Sequence, residues 1–370
     1  MPMSAKRRIR EQIRATGEAA CFAASNSCHG FHSYYSDCFD DPSIGRVFVI
    51  KGGPGTGKSR FMRDVSQYAE ESGWHAQMIY CSSDADSLDG VILRRDGKSM
   101  AFLDGTAPHV YEPRSPGVRE ELINLGAFWD ASRLRQRGEE IRRLHESKMM
   151  GYRMAYRYLS AYGSVYQNRR EKVLPFVRQN ALSEYAKKLM QHVPNGERFE
   201  SHTTLMRSVG MGGVVRFDTF VSEAERLYLI EDHKGSSEYL MGKLYRLASE
   251  KQLRVQVSRD PILPEIIDGL FCVDSGTAFV VWNGELPEHP HHRISMRRFL
   301  KNAELRSIRE TVNFDTRMLE ALLDETMAQM QNVRQAHFEL ENIYASAMDF
   351  SEKEIYTKNF CIRLFDLQNS

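Results

Sequence analysis

The octapeptide Gly52-Gly53-Pro54-Gly55-Thr56-Gly57-Lys58-Ser59 follows an apolar run at 47–50 and precedes a segment with helical spacing. Its spacing is G-x-x-x-x-G-K-[ST]. No other feature constrains the fold as much, because strand, glycine turn and helix must follow in that order. Glycines let successive N–H groups converge on phosphate oxygens without a Cβ in the way. A helix N-terminus adds positive potential there. The expectation is a nucleoside triphosphate site lined by Gly52, Gly53, Pro54, Gly55, Thr56, Gly57, Lys58, Ser59 and Arg60. Lys58 would reach the β- and γ-phosphates, and Ser59 would hold Mg²⁺. ATP and Mg²⁺ are the expected ligands, although no base-specific motif separates ATP from GTP. A chance glycine-rich turn is the alternative.

Such a site needs a carboxylate at the end of a neighbouring strand. Met100-Ala101-Phe102-Leu103-Asp104 supplies one, with Asp104 expected on the metal and turn capping as its other reading. Gly105 follows, where many P-loop ATPases carry a catalytic glutamate. A second acidic segment, Cys81-Ser82-Ser83-Asp84-Ala85-Asp86-Ser87-Leu88-Asp89-Gly90, places Asp84 and Asp86 beyond another strand. They would position water, act as a base toward an acceptor hydroxyl, or orient Mg²⁺. A helix cap followed by solvated carboxylates is the competing reading.

The chain is also an internal duplication. Arg46-Val47-Phe48-Val49-Ile50 matches Arg226-Leu227-Tyr228-Leu229-Ile230, and 61–109 runs without a gap onto 240–288. Asp89-Gly90 falls on Asp268-Gly269, Gly97 on Gly276, Gly105 on Gly284 and Pro108 on Pro287. In the second copy the loop shortens to Asp232-His233-Lys234-Gly235-Ser236-Ser237-Glu238. Gly57, Lys58 and Ser59 lose their chemistry there, Asp104 becomes Asn283, Asp84 becomes Leu263 and Asp86 becomes Glu265. Only the first half is therefore expected to bind nucleotide. The persisting Asp89, Gly90, Gly105 and Pro108 are expected to shape turns. The turn-rich 193–196 marks the expected boundary, with domains 1–193 and 194–370.

The expected fold is α/β: parallel sheets in two tandem P-loop NTPase-like domains, the second degenerate, each with a long helical extension. The first extension, about 118–192, is basic. Its 131–192 part holds fourteen Lys or Arg against five Asp or Glu. The second, about 293–356, is acidic, and 315–356 holds three Lys or Arg against nine Asp or Glu. Leu319, Thr326, Val333, Leu340 and Ala347 recur every seven residues, interleaved with Leu323, Met330, His337 and Tyr344. That is a coiled-coil-like seam. Pairing of the two arms is favoured over binding of nucleic acid by the basic one.

The GGPGTGKS loop, the CSSDADSLDG segment and LDGTAPH at 103–109 together resemble a bacterial family of two-repeat P-loop proteins. Its members are labelled ATP-binding or nucleotide-kinase-like, with no established reaction. The resemblance covers nearly the whole chain. It implies ATP binding at Lys58 and Ser59 and a family-specific role for Asp84, Asp86, Asp104, Thr106 and His109.

Bulk properties narrow the classes further. The formal net charge of +1 argues against a whole-protein claim on nucleic acid or membrane. No apolar run is long enough to span a bilayer. Six dispersed cysteines read as reduced thiols of a cytoplasmic protein. Cys28, His29, His32 and Cys38 match no familiar zinc spacing, and His289, His291 and His292 read as surface histidines of a loop. The leading expectation is an ATP-binding protein with slow or partner-stimulated hydrolysis. A phosphotransferase using Asp84 or Asp86 and a non-catalytic nucleotide switch are the alternatives. An acceptor or protein partner stays unnamed, and oligomeric state is open.

Overall fold

The computed structural model describes residues 12–14, 19–108 and 111–366. Its longer helices are α1 (Lys58–Glu71), α2 (Gly138–Val173), α3 (Gln179–Met190), α4 (Ser237–Glu250), α5 (Arg309–Ser346) and α6 (Phe350–Asp366). Contacts divide the chain into two units. The Lys58 unit comprises Gly17–Ala24, Ser33–Met154 and Ala328–Ser370, and the Asp232 unit comprises Met1–Thr16, Ser25–His32 and Ala155–Met327. No helix among the described residues is long and apolar enough to cross a membrane.

In the Lys58 unit six strands form one sheet: β1 (Ala19–Phe22), β2 (Arg46–Lys51), β3 (His75–Tyr80), β4 (Leu88–Arg95), β5 (Lys98–Asp104) and β6 (Glu120–Asn124). Their order is β1-β3-β4-β5-β2-β6. All run parallel except β4, which is antiparallel to β3 and β5. The expected purely parallel sheet is thus a mixed one. Loop length is the reason, since a parallel connection needs a dozen or more residues. Only 81–87 separate β3 from β4, and Asp96-Gly97 alone joins β4 to β5. Both turn residues have positive φ, 50° and 75°, as a two-residue hairpin of this kind requires.

The Asp232 unit repeats the pattern. Strands β7 (Glu200–Thr203), β8 (Arg226–Glu231), β9 (Arg254–Arg259), β10 (Ile267–Cys272), β11 (Thr277–Val281) and β12 (His291–Ser295) are ordered β7-β9-β10-β11-β8-β12. Strand for strand this is the order of the first sheet. His291 and His292, expected in a loop, lie on the edge strand β12, and the His292 ring stacks on Tyr228 at 5.1 Å.

Two expectations are corrected by packing. Asp89-Gly90 and Asp268-Gly269 sit inside β4 and β10 rather than in turns. The glycines persist because a Cβ at Gly90 would lie 2.6 Å from the Phe39 ring, and one at Gly269 3.1 Å from the Phe220 ring. Gly97 and Gly276 do shape turns, with φ of 75° and 56°.

The boundary at 193/194 is the second correction. The last helix of each half completes the core of the other half. In the Lys58 unit α1 buries Phe61, Met62, Val65 and Ala69 on the sheet, and α6 adds Cys361, Leu364 and Phe365 to the same cluster. In the Asp232 unit α4 buries Leu240, Met241, Leu244 and Ala248, and α3 adds Leu182, Ala186, Leu189 and Met190. The arms also begin later than expected: 120–124 and 291–295 are strands, and the long helices start at Gly138 and Arg309.

The seam of α5 is buried as its heptads predict, with Leu319, Thr326, Val333 and Leu340, and Ala347 just past the helix, all at or below 5% exposure. It meets α2 within each unit. In the Asp232 unit Leu159 and Leu319 share a cluster, and Lys172 Nζ lies 2.7 Å from Asp315 Oδ2. In the Lys58 unit Gly151 fits against Val333, where a Cβ would come within 2.7 Å.

Candidate functional site

β2 ends at Lys51, and α1 begins at Lys58 after a turn in which Gly55 and Gly57 are left-handed, with φ of 68° and 78°. Lys58 Nζ donates to the carbonyls of Gly52 at 3.0 Å and Gly53 at 2.8 Å, and it lies 3.6 Å from Asp104 Oδ2. Thr56 Oγ1 donates to Gly53 O at 2.9 Å, and Thr106 Oγ1 to Gly52 O at 2.9 Å. Side chains thus claim the Gly52 and Gly53 carbonyls. Among the described residues nothing accepts from the N–H groups of Gly55, Thr56, Gly57 or Lys58.

Sheet register brings Asp104 to this loop, because Asp104 at the end of β5 lies beside Ile50, the last residue but one of β2. Its Oδ1 accepts from Thr106 N at 2.8 Å. Ser59 Oγ accepts from Leu88 N at 3.0 Å, which ties the acidic segment to the start of α1. Asp84 caps its own turn: Oδ2 accepts from Ser87 Oγ at 2.9 Å and Oδ1 from Asp86 N at 3.3 Å. The side chain of Asp86 is exposed, and its carbonyl accepts from Arg63 Nη2 at 2.8 Å. Arg60 points to solvent and pairs with Asp64 at 2.8 Å. His109 lies outside the described residues.

Sequence reasoning missed the residues that α5 and α6 bring to the loop, and the α2 lysine behind them. A Cβ at Gly55 would lie 2.3 Å from the Glu341 carbonyl, one at Gly53 2.9 Å from the Tyr344 ring, and one at Gly57 3.4 Å from Lys353 Nζ. Trp129 and Tyr344 pack with ring centroids 5.7 Å apart beside Gly53. His337 Nε2 lies 3.5 Å from Glu341 Oε1, and His337 Nδ1 3.1 Å from Lys148 Nζ. Burial lowers the Lys148 and Lys353 amines below their ordinary range, against the pull of Cys81 and Glu341 on the first and of Asp64 and Glu354 on the second. The only advance signal was His337 and Tyr344 in the second heptad series, which reads as packing.

The matching loop of the Asp232 unit is filled by its own side chain. Asp232 occupies the position of Gly52, where a Cβ would meet Thr56 Oγ1 at 2.7 Å. The Asp232 carboxylate accepts from Gly235 N and Ser237 N, each at 2.8 Å, and Asn283 Oδ1 accepts from Asp232 N at 3.0 Å. Glu238, at the position of Ser59, pairs with Arg170 of α2 at 2.6 Å. A carboxylate thus sits where an anion would. Asp232→Ala removes a charged acceptor from two N–H groups and is expected to cost about 1–2 kcal/mol. Calorimetry would read this as a melting midpoint lowered by roughly 5 °C, with only part restored in Asp232→Asn, whose single amide oxygen can accept from one of the two N–H groups. An unchanged midpoint would mean that this cap adds nothing.

With this geometry in hand, the chain can be set against known proteins. No family model, curated protein or solved structure matches it. The functional reading therefore stands on the residues themselves.

Proposed function

We propose that the Lys58 unit binds Mg-ATP and hydrolyses it, slowly or on stimulation by a partner, and that the Asp232 unit is a degenerate P-loop copy serving as scaffold or regulator. One contrast carries this reading. In the Lys58 loop a lysine lies 3.6 Å from a strand-end aspartate and the N–H groups of Gly55, Thr56, Gly57 and Lys58 have no acceptor among the described residues, whereas in the Asp232 loop the N–H groups are taken by the loop's own carboxylate. Lys58 and the loop N–H groups would hold the phosphates.

The donor set suits Mg²⁺, which takes oxygen ligands and shares a site with substrate phosphates. Ser59 Oγ has accepted one hydrogen bond and keeps a second lone pair. Asp104 keeps Oδ2 turned to Lys58 while Oδ1 takes the Thr106 N–H. Bound there, Mg²⁺ would neutralise charge on the β- and γ-oxygens.

The tie between Leu88 N and Ser59 Oγ favours one second reading, a phosphotransferase in which the Asp84–Asp86 segment addresses an acceptor hydroxyl. ADP release from purified protein, with and without a pool of small metabolites, separates the two. Turnover without the pool supports hydrolysis, and turnover only with it supports phosphoryl transfer. Asp104→Asn is expected to lower turnover by about 10²-fold in either case. GTP in place of ATP tests the base. Neither binding nor turnover with either nucleotide would end both readings.

A further inference from the structure

Arm helix α5 lies directly on the Lys58 loop, inside one unit. The Glu341 carbonyl takes the space a side chain at Gly55 would need, and Tyr344 that at Gly53. One turn back, His337 joins Glu341 to Lys148 of α2, at 3.5 Å and 3.1 Å. Lys148, His337 and Glu341 therefore form a polar run whose last member sets its carbonyl against Gly55 and has its carboxylate under the charge of Lys58. Burial alone would raise the Glu341 carboxyl. The His337 hydrogen bond and the charges of Lys58 and Lys148 outweigh it and hold the group below the usual carboxylate range.

The duplicated copy shows which parts of this contact are general. The bridge Trp129–Met348 in the Lys58 unit and the bridge Val177–Leu300 in the Asp232 unit are the same pair with roles exchanged. At the spacing they define, Tyr166 corresponds to His337 and Arg170 to Glu341. Tyr166 and Arg170 also meet their loop: Arg170 Nε lies 2.6 Å from Glu238 and Tyr166 Oη 3.4 Å, and a Cβ at Gly235 would come 3.0 Å from Tyr166 Oη. In both units the second of these arm positions meets its loop, Arg170 at the Glu238 carboxylate and Glu341 through its carbonyl at Gly55, while His337 contacts Glu341 and Lys148 instead. At that position the side-chain charge is opposite to the charge the loop carries. Arg170 faces a loop bearing Glu238, and Glu341 sits on a loop bearing Lys58. Packing alone does not require this inversion. The arm residue follows the chemistry of the loop it covers.

We propose that Glu341, oriented by His337, activates the attacking water at the Lys58 loop, filling the role that Gly105 leaves open after Asp104. This rests on the hydrolysis reading above. The water oxygen attacks the γ-phosphorus and its proton passes to the Glu341 carboxylate. The bond from that phosphorus to the β–γ bridging oxygen breaks, and its electron pair leaves with ADP. Inorganic phosphate is the second product, and the proton returns from Glu341 to solvent. His337 is a positioning residue, held by Lys148 on its other nitrogen.

The test uses the full chain as wild type, Lys58→Ala, Glu341→Gln and Glu341→Asp. Three quantities are read: the Mg-ATP dissociation constant by calorimetry, the rate of ADP release, and the melting midpoint. Glu341→Gln is expected to bind Mg-ATP within about twofold of wild type, melt at the same temperature, and release ADP about 10²–10³-fold more slowly. Glu341→Asp recovers part of the rate. Release by Glu341→Gln at the wild-type rate overturns the proposal. Faster release with tighter binding also overturns it, and marks Glu341 as an anion that competes with phosphate. If wild type turns over and Lys58→Ala does not, the Glu341 variants judge this proposal alone. If wild type binds no Mg-ATP, or binds it without release, the proposal falls together with the hydrolysis reading.

Discussion

Lys58→Ala is expected to lower ADP release from Mg-ATP by about 10²–10³-fold, the usual loss when one preorganised donor to a developing negative charge is removed. The amine is well placed for that function. It is held by the Gly52 and Gly53 carbonyls, sits 3.6 Å from Asp104, and is only about one-eighth exposed. On the proposed reading it would reach a phosphate by exchanging those carbonyl bonds, at little cost in side-chain ordering because the amine is already held at the loop. The stability effect should be far smaller, about 1–2 kcal/mol for two orphaned carbonyls and an uncompensated carboxylate. Calorimetric binding and ADP release measured beside the melting midpoint separate the two. Lys58→Arg is expected to rescue little, because a planar guanidinium does not fit a point-charge site. Wild-type affinity and turnover in Lys58→Ala would remove the phosphate-site reading altogether.

The second large effect concerns the exchanged helices. Phe365→Ala is expected to destabilise the Lys58 unit by about 3–5 kcal/mol, the cost of emptying a phenylalanine site in a core. The Phe365 side chain is 2% exposed and packs against Trp74, with ring centroids 6.3 Å apart. One turn away, Phe360 fits among Phe48, Phe61 and Phe102 at 5.5, 5.6 and 6.1 Å. A melting midpoint lower by roughly 10 °C follows. The location of the damage matters more than its size. Hydrogen exchange should speed up in β2, β5 and α1, which lie far from Phe365 in sequence. If protection were lost instead in β8, β11 and α4, α6 would belong with its own half, and the exchange of helices would be wrong.

Much of this was legible in the residues. The strand, loop and helix around Lys58 follow from the motif, and sheet register brings Asp104 to Lys58 as the motif requires. The α5 seam follows from its heptads. The Asp96-Gly97 hairpin carried a readable signal that was overlooked, and with it the antiparallel β4. Asp84 is a different case. Its spacing suits both catalysis and capping, and the structure spends its carboxylate on Ser87 and the Asp86 N–H. The persisting Asp-Gly pairs misled in another way, because a glycine conserved between copies can mark a close aromatic neighbour as easily as a turn.

Local rules act over a few residues, and within that range this sequence determined its elements: the glycine turn, the short loops that force β4 antiparallel, and the apolar faces of α1, α4 and α5. It also determined that Asp232 can reach its own loop N–H groups, since only three to five residues separate them. Which helix covers which sheet was decided only by tertiary structure. After a duplication both halves offer the same apolar face, so burial satisfies either pairing equally well and periodicity cannot distinguish them. The exchange, and with it the arrival of Glu341, Tyr344 and Lys353 at the Lys58 loop, depends on where two long helices end, a property of the folded chain rather than of any segment in it.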